Sequence, residues 1–393
     1  MKITRRTFAG LLCLAAPLLL LAGTSPNDSR PSSGQYLAYV GTYTSKTTSK
    51  GIYVYRFDPE SGSLAENGVA AETPDPSFLA VHPNGKYIYA VNEGPITDGG
   101  KHGGVTAFAL DAQNGKLKQL NQVSSLGTDP CFISIDKSGK YLLVANYTSG
   151  GVAVFPIEPD GSIGKSTAFV QHSGKTGPNK QRQEGPHAHW IATTSDNRFA
   201  VAVDLGLDEV LVYKFDASNG TLTPNDPPYV KIKAGSGPRH LVFSRDEKFA
   251  YVASELASTV TVLKFDAKKG SFKQEQTLST LPPGFSGRND VAEIAIHPNG
   301  KFLYVSNRGN DSIAIYGIDP GKGILTPLGG MPTGGKEPRH FTFDPSGKFL
   351  FAENQLSGEI DVFRVDPATG ALSVNAETIK VPSPVCLVFA SPE

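Results

Sequence analysis

The chain has 393 residues, and its 37 Lys plus Arg are matched by 37 Asp plus Glu, so the formal charge is zero. That balance argues against nucleic acid or an anionic membrane as a partner, because no net electrostatic pull is available. Hydrophobic residues make up 39 %, alongside 42 Gly and 29 Pro, which suits many short strands joined by turns better than a disordered chain.

Residues 1–25 read as an export signal. Arg5 and Arg6 precede Phe8, and an apolar run from Leu11 to Ala22 follows, broken by Pro17. The run falls short of the about 20 residues a membrane span needs. Thr4-Arg5-Arg6-Thr7-Phe8 has twin-arginine character, with the general secretory route as the alternative. Residues 26–34 follow as a flexible leader, and residues 35–393 form the folded domain. The mature protein is therefore expected to be periplasmic or secreted, free of the membrane, and monomeric. Cys131 and Cys386 then remain, each in an apolar strand context. They are expected as buried hydrophobes, not as a disulfide or metal pair.

Two patterns recur along the rest of the chain. The first is an apolar residue, an acid, a short turn, Gly and an apolar residue. It starts at Phe57-Asp58 and returns at Leu110-Asp111, Ile157-Glu158, Phe215-Asp216, Phe265-Asp266, Ile318-Asp319 and Val365-Asp366, seven copies in all. Gly closing a short loop between alternating strands is hairpin chemistry. The second is Pro, a short strand, a polar turn, Lys or Arg, then a β-branched and aromatic strand ending in a polar residue. Pro76 to Asn92 is the clearest copy; others centre on Lys140, Arg198, Lys248, Lys301 and Lys348, six in all. A spacing of about fifty residues is that of propeller blades.

The seventh copy is split. Pro384 to Ala390 supplies only its opening strand, and Tyr36 to Leu64 supplies the other three. The expected fold is therefore an all-β, seven-bladed propeller of four-stranded antiparallel blades, closed by pairing the two chain ends in one blade. A β-solenoid would not need the two ends to complete each other.

Antiparallel order brings the start of each blade's first strand and the end of its second to one mouth of the central channel. The early blades look bland there, with Ser77, Phe78, Cys131, Phe132, Asn92, Glu93, Asn146 and Tyr147. Four later blades carry charge: His187, His189 and Asp204; Arg239, His240 and Glu255; Glu293, Asn307 and Arg308; Arg339, His340, Asn354 and Gln355. The loop bearing Arg288 enters at the same face. Such a set, placed by a rigid scaffold, reads as a site more readily than as inter-blade ion pairs alone. His82 and His297 fall in turns on the opposite side. No phosphate loop or nucleophile elbow is present, and His187 and His189 lack partners at metal-ligand spacing.

The segments Gly185-Pro186-His187-Ala188-His189, Gly237-Pro238-Arg239-His240, Ser254-Glu255-Leu256, Tyr304 to Arg308 and Glu337 to Gly347 resemble the seven-bladed propeller lactonases, which include 6-phosphogluconolactonases and carboxymuconate lactonising enzymes. The resemblance runs from Tyr36 to Ala390. It implies opening of a sugar or sugar-acid lactone without cofactor or metal, with His189 (or His187), Arg239, Glu255 and Arg308 as the catalytic group. His187, His240, Arg288, Glu293, Asn307, Arg339, His340 and Asn354 are then expected to bind substrate, a small lactone or anionic sugar acid. Glu255 or His189 would serve as general base, with arginines holding the oxyanion and an acidic group. Export would favour an unphosphorylated lactone. Cycloisomerisation of a muconate and ligand binding without turnover are the alternatives.

Overall fold

The computed structural model describes Met1, residues 36–94 and residues 102–391. The expected signal and leader, Met1 apart, lie outside these residues. Among the described residues, 28 strands pair into seven four-stranded sheets, and no helix is long and apolar enough to cross a membrane. Blades 1 to 6 span residues 79–124, 130–171, 188–231, 238–279, 290–332 and 338–380. Blade 7 joins Pro384–Ala390 to Tyr36–Thr42, Gly51–Phe57 and Leu64–Glu72. The closing pair is antiparallel, with Ala38 opposite Phe389 and Val40 opposite Leu387. Each blade's first strand touches the first strands of both neighbours, around the whole circle, as the split repeat predicts.

Burial falls off from hub to rim. Tyr141–Asn146 and Phe249–Ser254, both second strands, are buried along their whole length, whereas the rim strand Thr221–Lys231 is largely exposed. A second strand has both faces covered because blades stack face to face, so it reads as a continuous apolar run. The core is a series of wedges between neighbouring blades. Tyr55, Phe57 and Leu64 of blade 7 pack on Phe349, Phe351 and Ile360 of blade 6, with Phe57 edge-on to Phe351 at 5.6 Å. Each such buried side chain contributes about 1.5–3 kcal/mol.

The hairpin signature also ties blades together. Its acid holds the turn, as where Asp58 Oδ1 accepts from the Glu60 amide at 3.0 Å and Gly62 N donates to Asp58 O at 2.9 Å. Second-strand tyrosines then reach the hairpin glycine of the following blade: Tyr89 donates to Gly161 O at 2.9 Å and Tyr251 to Gly323 O at 3.0 Å. His82 and His297 do the same on their side, with Nε2 at 2.9 Å from Gly139 O and 2.8 Å from Gly347 O.

Two glycines separate conformation from contact. Gly270 has φ +63°, and a Cβ there would lie 2.4 Å from Phe199 Cε1, whereas Gly68 has φ +87° and open space around it. Gly68→Ala should cost about 1 kcal/mol from backbone strain alone, and Gly270→Ala about 3 kcal/mol, since blades must separate to admit the methyl. Urea midpoints check this; equal shifts would mean that packing against Phe199 does not demand the glycine.

Candidate active site

The mouth of the channel is built by a repeated irregularity. In six blades the first strand enters with a β-bulge, where register breaks across Pro130/Phe132, Ala188/Trp190, Pro238/His240, Val291/Ile294, Pro338/His340 and opposite Gly41/Thr42. A bulge re-aims its extra residue. Those residues are Cys131, His189, Arg239, Ala292 with Glu293, Arg339 and Val385. Ala188 pairs with Asp204 as Pro238 pairs with Ser254. His189, and not His187, is thus the counterpart of Arg239 and Arg339.

The second strands contribute the residue seven places after the repeat Lys. In four blades these are Glu93, Tyr147, Glu255 and Arg308, and all four line one cavity of about 320 Å³. Cys131, His189 and Arg339 line it from the bulges, and Asp129, Thr148 and Arg182 from the loops. Beneath it, Phe78, Phe132, Trp190, His240 and His340 close the channel. Phe78 reaches Phe132 at 4.4 Å and, across the hub, His340 at 5.6 Å.

Glu255, 3 % exposed, anchors one wall. Arg182 Nη2 bonds Oε1, while Arg239 Nε and Arg308 Nη2 stand 3.2 and 2.9 Å from Oε2. Burial alone would raise the Glu255 carboxyl, but Arg308, Arg239 and Arg182 outweigh it and hold the group at about 2. Arg239 also donates through Nη1 to Ala292 O at 2.9 Å; burial, then Arg308 and Arg339, lower it to about 10, still charged at neutral pH. Burial and the cations Arg239 and Arg339 push His189 well below the usual imidazole range, so it is neutral. Its Nδ1 lies 3.5 Å from Cys131 Sγ, and burial pushes that thiol up, away from thiolate chemistry.

A second polar layer lies under the first. His240 Nδ1 is 3.1 Å from Glu293 Oε2, and its Nε2 is 3.3 Å from Arg239 Nη1. A neutral His240 that donates through Nδ1 and accepts at Nε2 satisfies both contacts. His340 Nδ1 stands 2.7 Å from Glu353 Oε2. His240, Glu293 and His340 therefore support Arg239 from below and are not among the residues that line the cavity.

Other expected substrate contacts sit elsewhere. Asn307 and Asn354, both fully buried, serve the framework: Asn307 grips the connection from blade 4, and Asn354 bonds within blade 6. Asn307 Nδ2 donates to Thr280 O at 3.0 Å and its Oδ1 accepts from Thr280 Oγ1 at 2.7 Å, while Asn354 donates to Asp361 Oδ2 at 2.8 Å. Like Asn307, Asn92 and Asn146 at the same repeat position bond the connection that leaves the preceding blade, at Pro74 O and Ser125 O. The residue six places after the repeat Lys thus turns away from the cavity, and in four blades its successor lines it. His187 stacks on Tyr147 at 4.6 Å and contacts Tyr147 O at 3.0 Å, propping that wall. Arg288, 81 % exposed in its side chain, pairs with Asp290 at 2.7 Å outside the cavity. Sequence reasoning missed Glu93 and Tyr147, although they share the repeat position of Glu255 and Arg308. It also missed Arg182, which comes from an unrepeated loop. Among the described residues no three His, Cys, Asp or Glu are grouped to hold a metal ion.

A propeller whose charged cavity is assembled at one mouth from bulge residues and strand ends defines a hub-centred site of a known kind. The chain belongs to the seven-bladed β-propeller lactonase family, whose model (Lactonase, 7-bladed beta-propeller) matches residues 37–389. It is 38 % identical over 355 residues to the 6-phosphogluconolactonase of Bacillus subtilis, covering 90 % of this chain and 98 % of that one. It is 37 % identical over 316 residues to a 6-phosphogluconolactonase of Formosa agariphila, covering 78 % and 86 %. Among solved structures, it matches the periplasmic gluconolactonase of Pseudomonas aeruginosa with a TM-score of 0.85 and 35 % identity, covering 91 % of this chain and 100 % of that one.

Proposed function

We propose that the protein is an exported lactonase that hydrolyses an uncharged sugar lactone in this cavity. The observation that carries the choice of substrate is charge balance. The lining holds three guanidiniums, Arg182, Arg308 and Arg339, against three carboxyl groups, Glu93, Asp129 and Glu255. Each of the three guanidiniums already faces a carboxylate. A phosphate dianion needs surplus cations to replace its hydration, and here only Arg239, from behind Glu255, adds to the count. A polyhydroxyl lactone, by contrast, suits alternating donors and acceptors. The gluconolactonase likeness supports the same reading, as does the twin-arginine character of the first residues, because phosphorylated sugar lactones are cytoplasmic metabolites.

In this reading water attacks the lactone carbonyl carbon, and Arg308, with the charge of Arg239 behind Glu255 adding to its field, stabilises the oxyanion. Neutral His189 hydrogen-bonds the substrate. Glu255, with its carboxyl held at about 2, is too weak a base to take the water's proton and instead positions the arginines. The test is proton release from δ-gluconolactone and from its 6-phosphate. The expected kcat/KM is at least about tenfold higher for the uncharged lactone, a difference of about 1.4 kcal/mol in transition-state binding. The reverse preference overturns the substrate assignment, and no rate above spontaneous hydrolysis on either lactone overturns the lactonase reading.

A further inference from the structure

The cavity has a second wall. Opposite the arginine cluster, Glu93 of blade 1 meets Tyr43 of blade 7 and Arg339 of blade 6. Tyr43 OH donates to Glu93 Oε1 at 2.7 Å, and Arg339 Nη2 stands 4.0 Å from the same oxygen. The Arg339 guanidinium also lies 5.3 Å from the centre of the Tyr43 ring. Both contacts converge on Oε1; apart from the weak pull of the Ser77 hydroxyl on the carboxyl, no hydrogen bond from a described residue reaches Oε2. Glu93 is thus a carboxylate held in place by one oxygen with the other left for a ligand, on a side chain 18 % exposed.

The other two carboxyl groups of the cavity do not have this arrangement. Both oxygens of Glu255 are engaged by guanidiniums. Asp129 carries no side-chain hydrogen bond or ion pair among the described residues, so nothing there fixes its orientation. A groove of about 350 Å³ between blades 4 and 5, lined by Ser279, Pro282, Tyr316 and Pro327 among others, holds no His, Cys, Lys, Arg or carboxyl group to compete as a reaction site.

We infer that Glu93 is the catalytic residue that moves the proton in lactone opening, an assignment that rests on the lactonase reading. Water gives its proton to the Glu93 carboxylate as its oxygen bonds to the carbonyl carbon. When the tetrahedral oxyanion collapses, the bond from that carbon to the ring oxygen breaks, and the Glu93 carboxyl returns the proton to the leaving oxygen. The product is a hydroxy acid, which releases one proton to solvent as it ionises. Glu93 ends as it began, so no further reactant is needed.

The surroundings fit a base of useful strength. Burial raises the Glu93 carboxyl above the usual range, and Asp129 adds to this; Arg339, the Ser77 hydroxyl and Tyr43 act against it without cancelling it. The Ser77 hydroxyl itself is buried and has no hydrogen bond in good geometry among the described residues. Cys131, the remaining titratable neighbour, is an uncharged thiol.

The experiment uses δ-gluconolactone, with wild-type turnover above the spontaneous rate as its reference. Glu93→Gln should lower kcat by about 10²- to 10⁴-fold, change KM less than about threefold, and abolish the acid limb of the rate profile. Glu93→Ala should regain rate with added formate, a response that a structural role would not give. Tyr43→Phe, which keeps the carboxylate but removes a donor favouring its ionised form, should move the acid limb to higher pH. A Glu93→Gln rate within about threefold of wild type overturns the assignment. So does an unmoved acid limb in Tyr43→Phe, the variant that decides the matter if Glu93→Gln does not fold. A wild-type enzyme inactive on lactones sinks the lactonase reading itself, and that result is visible before any variant is made.

Discussion

Glu255→Gln is expected to lower lactone turnover by about 10²- to 10³-fold, the scale of losing a preorganised oxyanion contact, while KM changes little. The carboxylate accepts no proton in this scheme. Its loss acts by releasing Arg182, Arg239 and Arg308, whose mutual repulsion is then uncompensated in a buried setting. Breaking such a cluster by removing one partner destabilises by about 3–5 kcal/mol. The pH dependence gives a second handle. The folded carboxyl sits at about 2 against an ordinary 4.5, so its stabilising contribution, about 3 kcal/mol, is present above pH 4.5 and is lost as pH falls towards 2. Urea midpoints for wild type and variant should therefore differ clearly at pH 7 and converge near pH 2. A variant as stable as wild type at pH 7, or a gap that persists in acid, would contradict this account of the hub.

A chain ending at Ser383 is expected not to fold into a soluble monomer. The deletion removes Val385, Cys386, Leu387 and Ala390, all buried, and strips the partner from Tyr36–Thr42. Val385 and Leu387 alone, at about 1.5–3 kcal/mol each, take away a large part of a typical folding free energy of about 5–15 kcal/mol. The ring would also gain a long, flat, unpaired strand edge, a template for aggregation. Soluble expression and size-exclusion chromatography test this directly. A soluble, monomeric, cooperatively melting truncation would show that six blades and a remnant close without the seventh.

The propeller was legible because its signals repeat. One Gly hairpin can arise by chance, but seven in step with six Pro-strand units leave little else, and the half-unit at each end points to the closure at Ala38 and Phe389. The site was legible to the extent that it obeys the same period. Arg239, Glu255, Arg308 and Arg339 fall at fixed offsets; the last three line the cavity, and Arg239 pairs with Glu255 from behind it. Four kinds of residue escaped. His187 and His189 could not be ranked by spacing, because blade 3 enters two residues late relative to its Pro, and only the pairing of Ala188 with Asp204 sets the register. Asn307 and Asn354 look like site residues by polarity, yet both are spent on backbone or side-chain partners of the framework, and a strand alternates faces, so it is the successor Arg308 that turns to the cavity. Arg182 comes from a loop with no counterpart in the other blades, so periodicity is silent about it. Glu93 was discounted because its blade otherwise looks apolar, a judgement made by neighbourhood where position was the better guide.

The bulges carry an implication for how such enzymes diversify. Three of them are sockets whose occupants, Cys131, His189 and Arg339, line the cavity, while the apolar wedges between blades are built largely from the second and third strands. Exchanging His189 for another side chain would thus alter what the hub accepts while leaving those wedges in place. One rigid frame can host many ligand preferences, each reached by changing a few spokes at their inner tips.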